Sequence, residues 1–261
     1  MKNLIICIPV AKTSVDKEFF ESYVVMKNYL LSNAKKLPFK LGYIHEYFAH
    51  TFPIDANRNE CVSKTLEKNG IQHDISIWLD TDQSFQADCL FNLLKHPYPV
   101  VAGMYFAKAD PYHPIVYNYS KGNKRLFDAL VEYPRDKLFE VDLVGMGCVK
   151  IDREVLEAIE WPYFKYQNHP IGSSAKDAQW RIDNRIDDVS EDVWFWGKVK
   201  DAGFQIVVDP EIQCGHIMRI ESNQELYTNY LRGSKETYKE INGEEKFNKL
   251  WEGQCRARLL S

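Results

Sequence analysis

Apolar and polar positions follow two alternating patterns over the first hundred residues. Apolar runs of about five residues end at Pro, Asp or Gly, as buried parallel strands do. Between these runs, apolar residues recur at spacings of three and four, as they do on one face of a helix. The predicted strands are Leu4–Ile8, Phe39–Tyr47, Ile75–Leu79 and Pro99–Gly103, and the predicted helices are Val15–Lys36, Asp55–Asn69 and Ala87–Lys95.

Alternation of strands and helices predicts an α/β fold with a mostly parallel, Rossmann-like sheet flanked by helices. Ligands bind such sheets at the carboxyl ends of the strands. Asp80 directly follows the third predicted strand, so we expect a binding site around it.

The second half of the chain is more mixed. Further strands are predicted near Ile115–Tyr117, Leu143–Ile151 and Gln205–Val208, with a helix at Val189–Ala202. The polar segment 165–188 predicts a long loop of the kind that often serves as a lid. From Ser222 onward the pattern is helical, with charges of both signs.

Composition narrows the class of protein. The 261 residues carry a formal charge of −4, which argues against sequence-independent binding of nucleic acid. No apolar stretch reaches the ~20 residues of a membrane span, and the first apolar run contains Pro9 and lacks a signal-peptide cleavage site. The six cysteines form no C-x-x-C pair, which predicts reduced, mostly buried thiols of a cytoplasmic protein. A zinc site at Cys214 and His216 would need two more ligands.

Acidic residues mark two candidate sites. Asp80-Thr81-Asp82 follows a buried strand, and hard divalent cations prefer such paired carboxylates, although Asp is also common in turns. Glu191-Asp192 opens a predicted helix, where a carboxylate either acts as a general base or only favours the helix dipole.

Three further segments carry candidate groups. His216 follows a strand end, where an imidazole would complete a metal site or serve only a structural role. Arg58 opens the second helix and could form forked hydrogen bonds to phosphate, beside Asn57, which could equally be a cap. The glycines of Gly145-Met146-Gly147 permit close approach of a ligand or mark a bulge.

In this order the motifs resemble one family. Ile-Trp-Leu-Asp80-Thr-Asp82, Val144-Gly-Met-Gly147, Ser190-Glu-Asp192-Val-Trp-Phe and Cys214-Gly-His216 resemble a GT-A glycosyltransferase of the family 2 type, in particular its small stand-alone members from bacteriophages. The resemblance covers roughly residues 3 to 218. It implies a GT-A domain at 1–218 and a C-terminal helical extension at 219–261 packed on it.

The resemblance also implies roles for individual residues. Asp82 would bind Mn²⁺ or Mg²⁺ directly, His216 would be the late metal ligand, and Asp80 would face the ribose or a metal-bound water. Asp192 would be the base of an inverting reaction, with Glu191 close by. The remaining residues implied to contact the nucleotide sugar are Pro9, Val10, Arg58, Asn59, Thr81, Gly145, Met146, Gly147 and Trp180.

The implied activity is transfer of one sugar from a nucleotide sugar, with a UDP-sugar favoured, to an acceptor hydroxyl. Gln179-Trp180-Arg181 precedes the acidic pair rather than following it, which favours a single transfer over polymerisation. The acceptor stays open among a glycan, a protein, a small molecule and a modified DNA base. Arg58, Arg181 and Arg185 are alternative contacts for the diphosphate.

Two other classes explain part of the pattern. A metal-dependent nuclease or phosphohydrolase would account for the acidic residues but not for the Gly-His strand end or the glycine motif. A non-catalytic nucleotide- or glycan-binding module would bind a donor without transferring it. A dinucleotide oxidoreductase is disfavoured, since the first strand lacks G-x-G-x-x-G.

Overall fold

A computed structural model describes residues 1–10, 14–108, 112–119, 127–166 and 190–219, and it divides into compact units after Ile217. The strands are β1 (Lys2–Pro9), β2 (Leu41–Ala49), β3 (Ile75–Leu79), β4 (Gln83–Phe85), β5 (Val100–Met104), β6 (Val116–Tyr119), β7 (Phe127–Ala129), β8 (Phe139–Val141), β9 (Leu143–Val144), β10 (Cys148–Asp152) and β11 (Ile206–His216). The helices are α1 (Lys17–Asn33), α2 (Ile54–Thr65), α3 (Cys89–Lys95), α4 (Arg153–Glu157) and α5 (Glu191–Asp201).

The main sheet has the order β2-β1-β3-β10-β5-β11-β4, with β8 also paired to β11. Strand β1 pairs in parallel with β2 and β3, and β5 pairs in parallel with β11. Strand β10 runs antiparallel between β3 and β5. A smaller sheet has the order β7-β6-β9. The predicted α/β class with a mostly parallel sheet is therefore confirmed.

Helices cover both faces of the sheet, because alternate residues of β1 point to opposite sides. Leu4, Ile6 and Ile8 lie in an apolar cluster with α1 and α3. Ile5 and Cys7 lie in a second cluster with α2, α4 and α5. All five of these β1 side chains are fully buried, which explains why the strand reads as a continuous apolar run.

Three predicted elements, α2, β11 and the strand predicted at Leu143–Ile151, differ clearly from the structure, while the bounds of the others differ by up to three residues. Helix α2 ends at Thr65 instead of Asn69, because the Arg153 guanidinium donates to the carbonyl oxygen of Thr65 at 2.9 Å and so satisfies the helix end there. Strand β11 continues past Pro210 to His216, since its pairing with β5 is irregular between Val208 and Gln213, where a proline is tolerated.

The third difference concerns the predicted strand from Leu143 to Ile151. It splits into β9 and β10, with a turn at residues 145–147 between them. At the two glycines of that turn, neighbouring side chains occupy the space that a Cβ atom would need.

Several predictions lie partly or wholly outside the described residues. The segment 165–188 is described only at Lys165 and Tyr166, and the extension 219–261 only at Arg219. Within the described ranges no helix is long and apolar enough to cross a membrane. The five described cysteines are free and buried, as predicted.

An aromatic stack joins α5 to the segment that precedes residue 167. The rings of Phe164 and Phe195 stack with centroids 4.4 Å apart, Trp78 lies 5.5 Å from Phe164, and Trp196 lies 4.9 Å from Phe195. All four rings are buried. The stack therefore fixes the start of α5 against β3.

Removal of one ring tests this role. We expect Phe195→Ala to lower the free energy of unfolding by about 3–5 kcal/mol, because it leaves a cavity among packed rings. Phe20→Ala on α1 is the matched control, since Phe20 is 58% exposed, and its effect should be within about 0.5 kcal/mol. Urea denaturation followed by circular dichroism measures both, and equal losses would contradict the assignment.

Candidate active site at the strand ends

The antiparallel direction of β10 brings its first residues to the carboxyl end of β3. Cys148 pairs with Leu79, and the backbone N–H of Asp80 donates to the carbonyl oxygen of Gly147 at 3.1 Å. The backbone N–H of Ile217 donates to the carbonyl oxygen of Asp82 at 2.8 Å. Residues far apart in the sequence thus meet at one edge of the sheet.

Asp82 and His216 face each other at this edge. His216 Nε2 lies 3.7 Å from Asp82 Oδ2, and the Lys108 ammonium donates a hydrogen bond to the same oxygen. Burial would raise the pKa of Asp82, but the nearby His216 ring and the hydrogen bond from the Lys108 ammonium hold it well below its ordinary value. Asp82 is therefore a permanent anion beside two nitrogen groups.

The orientation of His216 is set by its other ring nitrogen. Nδ1 donates to the carbonyl oxygen of Phe106 at 2.8 Å, since a carbonyl can only accept. The ring packs edge-on against Tyr105, with centroids 5.3 Å apart. In the neutral ring, the lone pair of Nε2 is left directed toward Asp82, the arrangement typical of a metal-ligating histidine.

Arg58 lies at the centre of the acidic groups. Its Nη2 is 3.4 Å from both oxygens of Asp80, and its Nε is 3.4 Å from Glu191 Oε1. The guanidinium carbon lies 5.9 Å from the centroid of Phe164. Arg58 is only 6% exposed, and within the described residues its Nη1 has no hydrogen-bond partner. Helix α2 thereby links β3 to the start of α5.

Burial and charge act against each other in this cluster. Burial raises the pKa of Asp80, assisted by the charges of Asp82 and Asp192 and opposed by Arg58. Burial likewise raises the pKa of Glu191, again opposed by Arg58. Burial alone would lower the pKa of Arg58, but the surrounding carboxylates raise it above its ordinary value. The guanidinium is the cation that makes the buried carboxylates tolerable.

The two acidic residues at the start of α5 have different surroundings. Glu191 is buried and contacts Arg58, and its negative charge helps to raise the pKa of the Tyr166 hydroxyl, which burial raises most. Asp192 is partly exposed, and its Oδ1 accepts hydrogen bonds from Ser190 Oγ and from the backbone N–H of Val193, the latter at 2.9 Å. Asp192 Oδ2 has no partner among the described residues, so it is the open carboxylate oxygen of the pair.

The glycine turn at residues 145–147 makes room for two neighbours. A Cβ on Gly145 would lie 1.8 Å from the Tyr105 hydroxyl oxygen, and one on Gly147 would lie 2.0 Å from Gln83 Nε2. The backbone N–H of Gly147 donates to that hydroxyl at 3.2 Å. Met146 between them is 1% exposed. The turn is therefore held against the strand ends by side chains and cannot accept larger residues.

Asn59, implied above to contact the nucleotide, fastens a backbone segment in this structure. Its Oδ1 accepts from the backbone N–H groups of Tyr163 and Phe164, each at 3.0 Å, and its Nδ2 donates to the Phe164 carbonyl oxygen at 2.7 Å. A nucleotide contact of Asn59 stays a prediction, and in this structure most of the hydrogen-bonding groups of its side chain already have partners.

The other implied contacts occupy various positions. Pro9 and Val10 end β1 and are buried, with the Val10 N–H donating to the Ala49 carbonyl oxygen at 2.8 Å. Thr81 is partly exposed in the turn between β3 and β4. Trp180, together with Arg181 and Arg185, lies outside the described residues.

Asp80 is not joined to Asp82 and His216 as a compact three-ligand group. In the parts of the chain that are described, the sole group of three or more such ligand atoms within 4.8 Å of one another is Cys89, Cys148 and Cys214. The potential metal site at the strand ends is thus a two-residue site, and Asp80 is directed instead to Arg58.

Lys108, Tyr105 and Gln83 were not predicted as site residues. Tyr105 and Lys108 follow β5. The rule that ligands bind at the carboxyl ends of strands, which predicted Asp80, could also have predicted these two residues. The sequence gives no comparable signal for Gln83, whose side chain is fully buried with both amide atoms unpaired in the described structure.

Comparisons with known proteins are weak. No family model and no curated protein matches the chain. Structural similarity is found to A197 from STIV (18% identity, 86% of this chain and 100% of that one, TM-score 0.45) and to GalNAc-T7 with UDP, GalNAc and Mn²⁺ (11%, 90% and 47%, 0.44). The catalytic domain of Drosophila beta1,4-galactosyltransferase 7 with xylobiose gives 14% identity, coverages of 88% and 80%, and a TM-score of 0.46. Because all three TM-scores are below 0.5, these similarities establish neither a family nor a substrate.

The role of Arg58 gives a stability prediction. We expect Arg58→Leu to lower the free energy of unfolding at pH 7 by about 3–5 kcal/mol, because it leaves Asp80 and Glu191 buried without their cation. Lys27→Ala is the control, since it breaks the half-buried Lys27–Glu46 pair, and should cost about 1 kcal/mol or less.

The pH dependence of this loss separates charge from packing. Without the guanidinium the raised pKa of Glu191 rises further, so the folded variant takes up a proton more readily than the unfolded chain. Stability of the variant then falls as pH rises, and its deficit should shrink between pH 7 and pH 5. Urea denaturation across this range tests the effect, and a deficit independent of pH would indicate lost packing alone.

Proposed function

We propose that the protein is a divalent-metal-dependent glycosyltransferase of the GT-A type that moves one sugar from a nucleotide sugar, with a UDP-sugar favoured, to an acceptor hydroxyl. The observation that carries the proposal is the pairing of Asp82 with a His216 ring whose Nδ1 donates to the Phe106 carbonyl. This pair lies at the strand ends, beside the open carboxylate of Asp192 at a helix start. The sequence motifs named above therefore converge on one edge of the sheet.

The pair fits a divalent cation. Asp82 offers an ionised oxygen, and His216 offers Nε2 at a separation of 3.7 Å, which is compatible with two ligands of one ion. This mixed set favours Mn²⁺ over Mg²⁺, because Mg²⁺ takes oxygen ligands almost exclusively. When bound, the ion would act as a Lewis acid that neutralises charge developing on the leaving diphosphate.

For Arg58 we propose a positioning role in place of the predicted phosphate contact. Its contacts with Asp80 and Glu191 use Nη2 and Nε, so we assign it to positioning these carboxylates. Lys108 is the better candidate for the diphosphate, since its ammonium already reaches Asp82 and is partly exposed. A cation bound at Asp82 would free Lys108 for that contact.

Asp192 suits the role of general base. One of its oxygens accepts two hydrogen bonds, which fix the carboxylate, and the other has no partner among the described residues. Burial raises the pKa of Asp80 and of Tyr105, and the negative charge of Asp192 adds to both shifts, which supports a position of Asp192 near both groups. Removal of a proton from the acceptor hydroxyl by Oδ2 would generate the attacking oxygen. Glu191, buried against Arg58, is a positioning residue.

Donor binding tests the metal pair. Nucleotide sugars with Mn²⁺ should raise the melting temperature by several degrees, as expected for a ligand well above its Kd. Asp82→Asn and His216→Ala should each abolish the part of the shift that requires Mn²⁺. Asp128→Asn and His50→Ala, at exposed positions, are the matched controls and should retain it.

Two outcomes of this screen would reject the proposal. Metal-dependent release of phosphate or cleavage of nucleic acid without any response to nucleotide sugars would indicate a phosphohydrolase. Donor binding without transfer or hydrolysis across a panel of glycan, protein, small-molecule and DNA acceptors would indicate a binding module.

Kinetics test the general base. We expect Asp192→Asn to reduce kcat by about 10²–10⁴-fold with little change in the KM for the donor, because the base acts in the chemical step. Asp201→Asn, at the exposed far end of the same helix, should leave both constants unchanged. Equal losses of kcat and donor affinity in Asp192→Asn would identify Asp192 as a structural residue of the helix start.

A further inference from the structure

Three buried cysteines from distant segments meet beneath the strand ends. Cys89 begins α3, Cys148 begins β10, and Cys214 lies on β11. The Sγ atoms of Cys89 and Cys148 are 3.5 Å apart, and all three sulfurs lie within 4.8 Å of one another. Cys89 and Cys148 are fully buried and Cys214 is 6% exposed. Among the described residues no His, Asp, Glu or further Cys joins this group.

The spacing matches three ligands around one ion. Metal–sulfur bonds of about 2.3 Å place the sulfurs of a planar trigonal site about 4.0 Å apart. That distance lies between the 3.5 Å separation of the Cys89 and Cys148 sulfurs and the 4.8 Å within which all three sulfurs lie. Structural zinc normally takes four ligands, so a closed three-sulfur set favours a softer ion that accepts three.

The surroundings of the group limit the ion further. The trio lies among apolar side chains such as Leu79 and Ile212. Sulfur ligands select soft ions such as Cu(I), whereas hard ions take oxygen ligands.

Gly103 supports the close approach to Cys148. A Cβ atom at this position would lie 3.0 Å from Cys148 Sγ and 2.9 Å from Ile212 Cγ2, closer than side chains normally pack. Glycine thus lets the backbone of β5 pass close to the sulfur.

From this geometry we propose that Cys89, Cys148 and Cys214 form a trigonal site for a soft monovalent metal ion, represented by Cu(I). On binding, the three thiols would release their protons and hold the ion as thiolates. The ion would fasten α3, β10 and β11 directly beneath Gly147 and His216. This proposal does not depend on the glycosyltransferase assignment.

Anaerobic titration of the reduced full chain with Cu(I) tests the site, with a chromogenic Cu(I) chelator as competitor. A second preparation, expressed in copper-supplemented medium, covers slow entry into the buried position. We expect one Cu(I) per chain held against the chelator, X-ray absorption showing three sulfur neighbours, and a higher melting temperature. Cys89→Ala, Cys148→Ala and Cys214→Ala should each lower the affinity at least tenfold.

Cys7→Ala is the matched control, because Cys7 is equally buried and lies in the other apolar cluster with Cys61. This variant should bind Cu(I) as the parent protein does. Circular dichroism of each variant establishes that it is folded before titration. The proposal is overturned if neither preparation of the parent holds Cu(I), if Cys148→Ala binds as tightly as the parent, or if mass spectrometry finds a disulfide within the trio.

Discussion

The buried guanidinium of Arg58 is the interaction on which the site depends. Two carboxylates, Asp80 directly after β3 and Glu191 on α5, would repel each other and resist burial if no cation lay between them. Arg58 contacts both, and its own helix is anchored through Asn59 to the backbone at Phe164. The ion pairs are therefore less a source of net stability than a means of specifying which segments meet. Net stability comes instead from the apolar surface that the aromatic stack buries between the same segments.

The direction of β10 is the second constraint. If this strand ran parallel to its neighbours, its first residues would lie at the opposite edge of the sheet from Asp80. Because it runs antiparallel, Gly147 contacts the backbone of Asp80 and lies beside Tyr105 and Gln83. The irregular pairing around Pro210 has a related effect, since it lets β11 extend far enough for His216 to reach Asp82. Both features bring candidate site residues to the strand ends, and neither alters the arrangement of the helices on the sheet.

The hydrophobic pattern predicted β1, β2, β3 and β5 but not the short strand β4. Its signal is clearest where a parallel strand is buried and so leaves an unbroken apolar run. The position of Asp80 followed from the rule that ligands bind at strand ends. What the pattern could not supply was the partner of each charged group. Arg58 offers the same fork of donors to a phosphate and to a carboxylate, so its sequence position alone could not distinguish these roles. Pro210 likewise predicts a strand end unless the pairing irregularity is known. The Cys trio joins three segments whose separation in sequence leaves no motif.

The two metal sites proposed here, at the strand ends and at the cysteine trio, would lie close together without exchanging ions. Cys214 and His216 are two residues apart on β11, a rise of roughly 6.6–6.8 Å, and so share one side of the strand. A joint zinc site of these two residues would have needed their donors to converge. The Cys214 sulfur instead meets Cys89 and Cys148, and the His216 ring is held by the Phe106 carbonyl beside a carboxylate. Sulfur ligands in an apolar setting select soft ions, and a carboxylate with one imidazole selects harder ones. Because the two proposed sites differ in ligand type, β11 can contribute one ligand to each. Each of these ligands must then be held in place by a contact of its own.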